Sequence, residues 1–211
     1  MQTEFIIQAI HAIDQALMIH EAEIAELDRA IGDGDHYINI IRGVAAIVAI
    51  QADLLNLTAD IALQKIGMKL MSSVGGASGV LLGSFFLIFG KTLNENGGES
   101  LSNIAACFAA GVESIRQRGK SDLGEKTMLD VLIPVSRQFT IMALNDQTSI
   151  EIAAALKLVS TSGMLSTKDL LATKGRAAFL GERSKNHIDA GAKSSEVMIH
   201  ALCDLVIGNQ L

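Results

Sequence analysis

The sequence predicts an all-α fold, on three observations. Its 211 residues include one proline, Pro134, one tyrosine, Tyr37, and no tryptophan. That is too little turn punctuation and too few aromatics for a strand-rich chain. Alanine, leucine and isoleucine dominate and recur at helical spacing. Short polar or glycine-rich breaks separate the apolar runs, and no stretch reads as part of a sheet. Apolar residues make up 49% and charged residues 19%, with a mean hydropathy of +0.37, which excludes a disordered chain. A chain of this size buries roughly 70% of its unfolded surface. Residues 1–211 are therefore expected to form one domain without a disulfide or metal staple.

The elements follow in order. Phe5, Ile6, Ile10, Ile13 and Leu17 mark the stripe of a first helix that Leu27 extends toward residue 29. Gly32 to Asp35 breaks the pattern. A second helix runs from about His36 to Gln51 on Ile40, Ile41, Val44, Ile47 and Val48, and a third from Thr58 to about Met71 on Ile61, Ile66 and Leu70. Gly75 to Gly79 opens a fourth that ends near Leu93, and Asn94 to Ser100 is a loop. A fifth covers about Leu101 to Arg118. After a break at Gly119 to Gly124, a sixth runs from Lys126 to Leu144 with a kink expected at Pro134. A seventh spans Ser149 to about Gly163. Ser166 to Ala190 is polar, with helix expected in its first half, and a last helix covers Gly191 to Val206.

Charge and targeting narrow the function classes. The net charge is −6 and the pI about 5.3. No basic stripe exists to hold a phosphate backbone, so nucleic acid is excluded as a partner. Anionic membranes are disfavoured for the same reason. Met71 to Gly90 carries no charge over 20 positions, yet only Val80 to Phe89 is strongly apolar, which reads as a core helix. The start of the chain lacks a basic region, and Cys107 and Cys203 lie far apart in apolar runs. Two buried thiols in a reducing, cytoplasmic protein are expected.

The polar residues that carry chemistry concentrate in the breaks. Asp28, Asp33 and Asp35 fall within eight positions, and Gly32 and Gly34 let the backbone fold so that they converge. Converging carboxylates repel unless a cation sits among them, and oxygen ligands suit magnesium. The plain alternative is a solvated turn with Asp35 as an N-cap. An EF-hand does not fit, because counting from Asp33 places Ile38 and Val44 at its glycine and glutamate positions. Ser72 to Gly79 opens a helix with small residues, either a phosphate cradle or glycines for close packing. Arg118 to Asp130 reads as a charged, solvated loop or as part of a site. Lys174, Arg176 and Arg183 form a cationic stretch suited to phosphate oxygens, followed by His187, Asp189 and Gly191. His20 and His200 lie within helical runs, His11 on an exposed helix side, and His36 and His187 in polar breaks. No recognisable nucleophile–histidine set appears.

The order of these motifs is more specific than any one of them. Leu-Asp-x-x-Ile-Gly-Asp-Gly-Asp-His at 27–36 and Met-Ser-Ser-Val-Gly-Gly-Ala-Ser-Gly at 71–79 come first. Arg-Gly-Lys…Gly-Glu-Lys-Thr-Met at 118–128 and Lys-Gly-Arg-Ala…Leu-Gly-Glu-Arg-Ser at 174–184 follow. From about residue 20 to 195 the chain resembles the nucleotide-binding L subunits of dihydroxyacetone kinases. Its length matches the free-standing form.

The resemblance implies a barrel of about eight antiparallel helices with ADP or ATP at one end. It implies that Asp28, Asp33 and Asp35 hold two Mg2+ ions on the nucleotide phosphates, and that these aspartates and Arg176 are the catalytic set. His36, Tyr37, Ile38 and Asn39 would contact the nucleotide, Ala77 and Ser78 would cover the phosphates, and Gly119 and Met128 would border the adenine. Arg176 would reach phosphate, and Asp189, Ala190 and Gly191 would close the site. The resemblance further implies a separate K subunit, which holds dihydroxyacetone covalently on a histidine and caps the barrel mouth. A phosphohistidine M subunit of the phosphotransferase system would rephosphorylate bound ADP, with phosphoenolpyruvate as the ultimate donor. A homodimer stays open.

Two departures fall at implied nucleotide contacts. Tyr37 stands where the family commonly has glycine, with a ring expected to narrow the pocket or stack on the base. Asp189-Ala190-Gly191-Ala192-Lys193 stands where the family often reads Asp-Pro-Gly-Ala-Thr. They leave room for an ATP-exchanging subunit of a related small-ketose kinase, or for a nucleotide-loaded binding module without turnover. A metal-dependent all-α hydrolase fits less well, since its acids stand in pairs on helices rather than in one glycine loop.

Overall fold

The structure is a computed structural model that describes residues 2–98 and 100–209. It is all-α, and among the described residues there is no strand. Helix α1 spans Thr3–Ile19 and α2 Glu21–Ile31, so the single first helix expected from the sequence is two. His20 breaks it at φ −96°, ψ 11°. In the run from His20 to Glu23 the one apolar residue, Ala22, is exposed and does not continue the buried stripe of Ile6, Ala9 and Leu17. Ile24, Asp28 and Ile31 start a new buried face, and Glu21 and Glu23 suit the positive end of the new helix. His20 is therefore a junction residue and not a mid-helix one.

Helix α3 spans His36–Val48, and a short α4 at Gln51–Leu54, not anticipated from the sequence, tucks Leu54 into the core. Helix α5 covers Ala59–Ser73 and α6 Gly76–Asn96, which ends at Gly97 in the left-handed region. The expected loop after it is correspondingly shorter, and Glu99 lies outside the described residues. Helix α6 is long and apolar enough to cross a membrane, with a mean hydropathy of 1.5 over its most apolar window. Here it lies between α5 and the helix that follows it.

Helix α7 is Leu101–Gly119, capped by Ser100 Oγ, which accepts from the Asn103 N–H at 3.2 Å. Helix α8 is Leu129–Leu144 and begins later than expected, because Lys126 sits at φ 60°. It runs on through Pro134, which cannot donate to the Asp130 carbonyl one turn back. That carbonyl faces Gly163 of the next helix, where any side chain would collide with it. Helix α9 is Ser149–Ser166 and starts on a Thr148/Glu151 capping box. The polar segment after it holds a 3₁₀ helix at Ala177–Ser184, in its second half and not its first. Helix α10 spans Ala190–Gly208.

Packing neighbours run α1–α3–α5–α6–α7–α8–α9–α10 and return from α10 to α1, while α2 packs on α3 and α10. Phe85 joins two of the apolar clusters through an edge-on contact with Phe108 at 5.3 Å. Cys107 and Cys203 are both free and buried, as expected.

Candidate nucleotide and metal site

The metal loop is built on the end of α2. Asp28 lies in its last turn and is buried. The Gly32 N–H donates to the Asp28 carbonyl at 2.5 Å, and a side chain at Gly32 would strike the Asp28 carboxylate. Gly34 then turns the chain at φ 78°. One carboxylate oxygen from each of Asp28, Asp33 and Asp35 falls within 4.8 Å of the others. Asp28 Oδ2 accepts the His36 N–H at 3.0 Å, and Asp33 Oδ2 accepts from Arg176 Nε at 2.8 Å. Partial burial works against the charged form of Asp33. A hydrogen bond with Asp35 and the Arg176 guanidinium outweigh it and hold the carboxyl below its usual range. Among the described residues, three carboxylates face one guanidinium, and no sulfur or imidazole nitrogen joins the cluster. This donor set fits a hard divalent cation that keeps positions free for water or phosphate.

The start of α10 stands beside this loop. His36 Nε2 lies 3.0 Å from Ser194 Oγ, and burial pushes the imidazole down against the pull of the three aspartates. Asp189 caps α10, accepting the Ala192 N–H at 2.7 Å, and its own N–H donates to Thr167 Oγ1 at 3.0 Å. Burial, with Asp130 nearby, pushes the Asp189 carboxyl up to about 7, against the Ala192 N–H and the Lys126 charge. Ala190 takes the first helical position, where proline and alanine are both accommodated, so this departure leaves the helix start unchanged. Gly191 lies against Met128, 3.6 Å from its backbone nitrogen when measured from the place a Cβ would occupy.

The remaining predicted residues lie at the ends of other helices. Gly75 packs against Asn39, whose Oδ1 accepts from Arg42 Nη1 at 3.2 Å. Helix α6 then starts at Gly76 with Ala77 exposed and Ser78 half-buried, and no side chain caps its first N–H groups among the described residues. Gly119 ends α7 beside Leu81, and Met128 is buried in the cluster that Leu81 covers.

Two side chains depart from expectation. The Tyr37 ring packs with Leu17, Ile24, Ile40, Val44 and Val197, and its hydroxyl bonds Glu21. It neither narrows a pocket nor offers a stacking face, because one step along α3 turns a side chain by about 100°. Exposed Ile38 is its neighbour. Lys193 likewise turns away, to Glu23 at 3.2 Å and Glu196 at 3.0 Å, and ties α10 to α2.

The loop at 120–128 is not simply solvated. Lys126 is 1% exposed and Asp130 2%. Lys126 Nζ donates to the carbonyls of Thr167 and His187, which lie in the connections on either side of the 3₁₀ helix. Burial lowers its pKa against the pull of Asp189, Asp130 and Asp169. Asp130 accepts the Gly124 N–H at 2.5 Å and the Thr127 N–H at 2.8 Å. Neither Lys126 nor Ser194 stood out in the sequence. The available signal was Thr127-x-x-Asp130 before an apolar run, the spacing of a helix start. The cations at 174–183 do not act as one patch: Lys174 pairs with Glu125 at 3.5 Å, while Arg176 goes to Asp33.

A family model described as the DAK2 domain matches residues 30–204. The ADP-binding subunit DhaL of the PTS-dependent dihydroxyacetone kinase of Lactococcus lactis is 37% identical over 95% of this chain and 96% of its own length. The corresponding subunit of the PEP-dependent enzyme of Escherichia coli is 37% identical, over 83% of this chain and 84% of its own. A D-erythrulose kinase of Mycolicibacterium smegmatis is 30% identical over 94% of this chain, which spans only 35% of that longer protein. The crystal structure of the dihydroxyacetone kinase of C. freundii shares the fold, with a TM-score of 0.71 at 22% identity over 93% of this chain and 33% of that one. The residues matched and the full-length similarity agree: this chain belongs to the DAK2 domain family.

Proposed function

We propose that this chain is the nucleotide-binding subunit of a dihydroxyacetone kinase and binds ADP or ATP with magnesium. The observation that carries the reading is the approach of Asp28, Asp33 and Asp35 to within 4.8 Å, with Arg176 on Asp33. Its relatives of similar length carry the same description, whereas it spans a third of the erythrulose kinases. This favours the dihydroxyacetone assignment over the related-ketose one. The reading takes residues 1–211 as one domain, and the closed order of helix neighbours supports the barrel expectation.

Residue roles follow from chemistry. Two magnesium ions, when bound, would neutralise phosphate oxygens and favour transfer of the terminal phosphoryl group. Asp28, Asp33 and Asp35 hold them, and Arg176 adds a guanidinium beside the same oxygens. The start of α6 offers backbone N–H groups at Ala77 and Ser78 to phosphate. The segment His36 to Asn39 lines the nucleotide with the Tyr37 ring turned away into the core, Gly119 and Met128 border its base, and Asp189 to Gly191 close over it. Phosphoryl transfer needs positioning and charge neutralisation more than a protein nucleophile. The acceptor would be held on a separate dihydroxyacetone-binding subunit that covers this end. A phosphohistidine subunit of the phosphotransferase system would regenerate the bound nucleotide from phosphoenolpyruvate, in the cytoplasm.

The test is the nucleotide content of the purified chain after extensive dialysis with magnesium. About one ADP per chain, lost in Asp33→Ala, is expected for a resident coenzyme. An empty chain that binds ATP reversibly would move the reading to an ATP-exchanging kinase. No nucleotide binding at any magnesium concentration would overturn it.

A further inference from the structure

The metal loop and the start of α10 are far apart in sequence and joined through one side chain. The His36 backbone N–H holds Asp28 Oδ2 at 3.0 Å. Its ring holds α10: Nε2 is 3.0 Å from Ser194 Oγ. Ser194 is fully buried, and its Oγ lies 3.1 Å from the Gly191 carbonyl. One hydroxyl therefore touches both the turn that closes over the nucleotide and the residue that aims Asp28. The Lys193 link to Glu23 ties α10 directly to α2, the helix that carries Asp28, and leaves less room for the two to shift independently.

We propose that Ser194 is a positioning residue that couples metal binding to nucleotide binding. Metal drawn to Asp28 sets His36, and His36, through Ser194, sets the turn at Ala190–Gly191. The same link runs in reverse, since coupling between two binding events is reciprocal. The proposal rests on the nucleotide reading above. It adds that the two ligands strengthen each other through the protein and not only through direct metal–phosphate contact.

The test uses the full chain with Mn2+ as the metal probe. Calorimetry gives the ADP Kd with and without Mn2+, and loss of the free Mn2+ electron paramagnetic resonance signal gives the metal Kd with and without ADP. In Ser194→Ala the factor by which each tightens the other should fall roughly fivefold, the size of one lost hydrogen bond. The ADP Kd without metal should rise by less than the ADP Kd with Mn2+. Ser194→Cys, nearly the same shape with a weaker hydrogen bond, should fall between. In a His36→Ala background, Ser194→Ala should have no further effect, because the two act as one link. An unchanged factor in Ser194→Ala, or an equal loss with and without metal, would overturn the coupling and leave the nucleotide reading standing. Failure of the unsubstituted chain to bind ADP with Mn2+ would overturn both.

Discussion

The Arg176 guanidinium donates to Asp33 Oδ2 at 2.8 Å across 143 positions of sequence. The 3₁₀ segment after α9 is thereby laid over the loop after α2, and a cation in contact with the acidic triad comes from the far end of the chain. The side chain of Arg176 is 72% exposed, so the pair contributes little to stability. Its consequence is charge placement. Arg176→Lys, which keeps the charge but not the fork, should lower phosphoryl transfer roughly 10²-fold. The melting temperature should move by less than about 2 °C. Steady-state kinetics beside a thermal melt separates the two; a large melting shift with modest rate loss would refute this role.

Lys126 makes the opposite prediction. It is buried and bonds two carbonyls that flank the 3₁₀ helix. Lys126→Met fills similar volume but leaves both carbonyls without that donor and Asp189 without its nearby cation. A loss of about 3 kcal/mol is expected, read from the urea midpoint at unchanged slope. A variant as stable as the parent would show that these carbonyls find other partners.

Asp189 predicts a pH dependence. Its ordinary value is 3.8 and the fold pushes it up to about 7. Between those values the folded chain keeps a proton that the unfolded chain has released. Stability contributed by this group is therefore full below about pH 4, falls as pH rises toward 7, and is flat above. The slope reaches at most about 1.4 kcal/mol per pH unit. Asp189→Asn should flatten the profile in that window, measured by urea unfolding of the nucleotide-free chain. An identical profile in the variant would place the proton elsewhere.

Phe179 is 84% exposed in the 3₁₀ helix, three residues after Arg176. Residues three apart eclipse in such a turn, so the ring stands on the same side as the guanidinium that meets Asp33. On the proposed function, this is a contact for the subunit that brings the acceptor. Phe179→Ser should leave ADP binding unchanged and raise the concentration of that subunit needed for half-maximal rate roughly tenfold. Equal effects on both would place the ring in nucleotide binding instead.

Much of this protein was legible in its sequence. Helical class, most helix spans and the convergence of Asp28, Asp33 and Asp35 follow from spacing within a few residues, which is local physics. The breaks at His20 and before Leu129 were missed because apolar periodicity does not show where a backbone leaves helical angles; a polar run and the Lys126 turn decided them. Side-chain direction was decided only by packing. Tyr37 and Lys193 lie within the predicted motifs, yet one turns into the core and the other to Glu23. The links Arg176–Asp33, Ser194–His36 and Lys126–Thr167 join residues 143, 158 and 41 positions apart. No local periodicity encodes such pairs. They exist because helices packed in a closed order bring their ends together, and the loops at that end are then set by whichever buried donors and acceptors can satisfy one another.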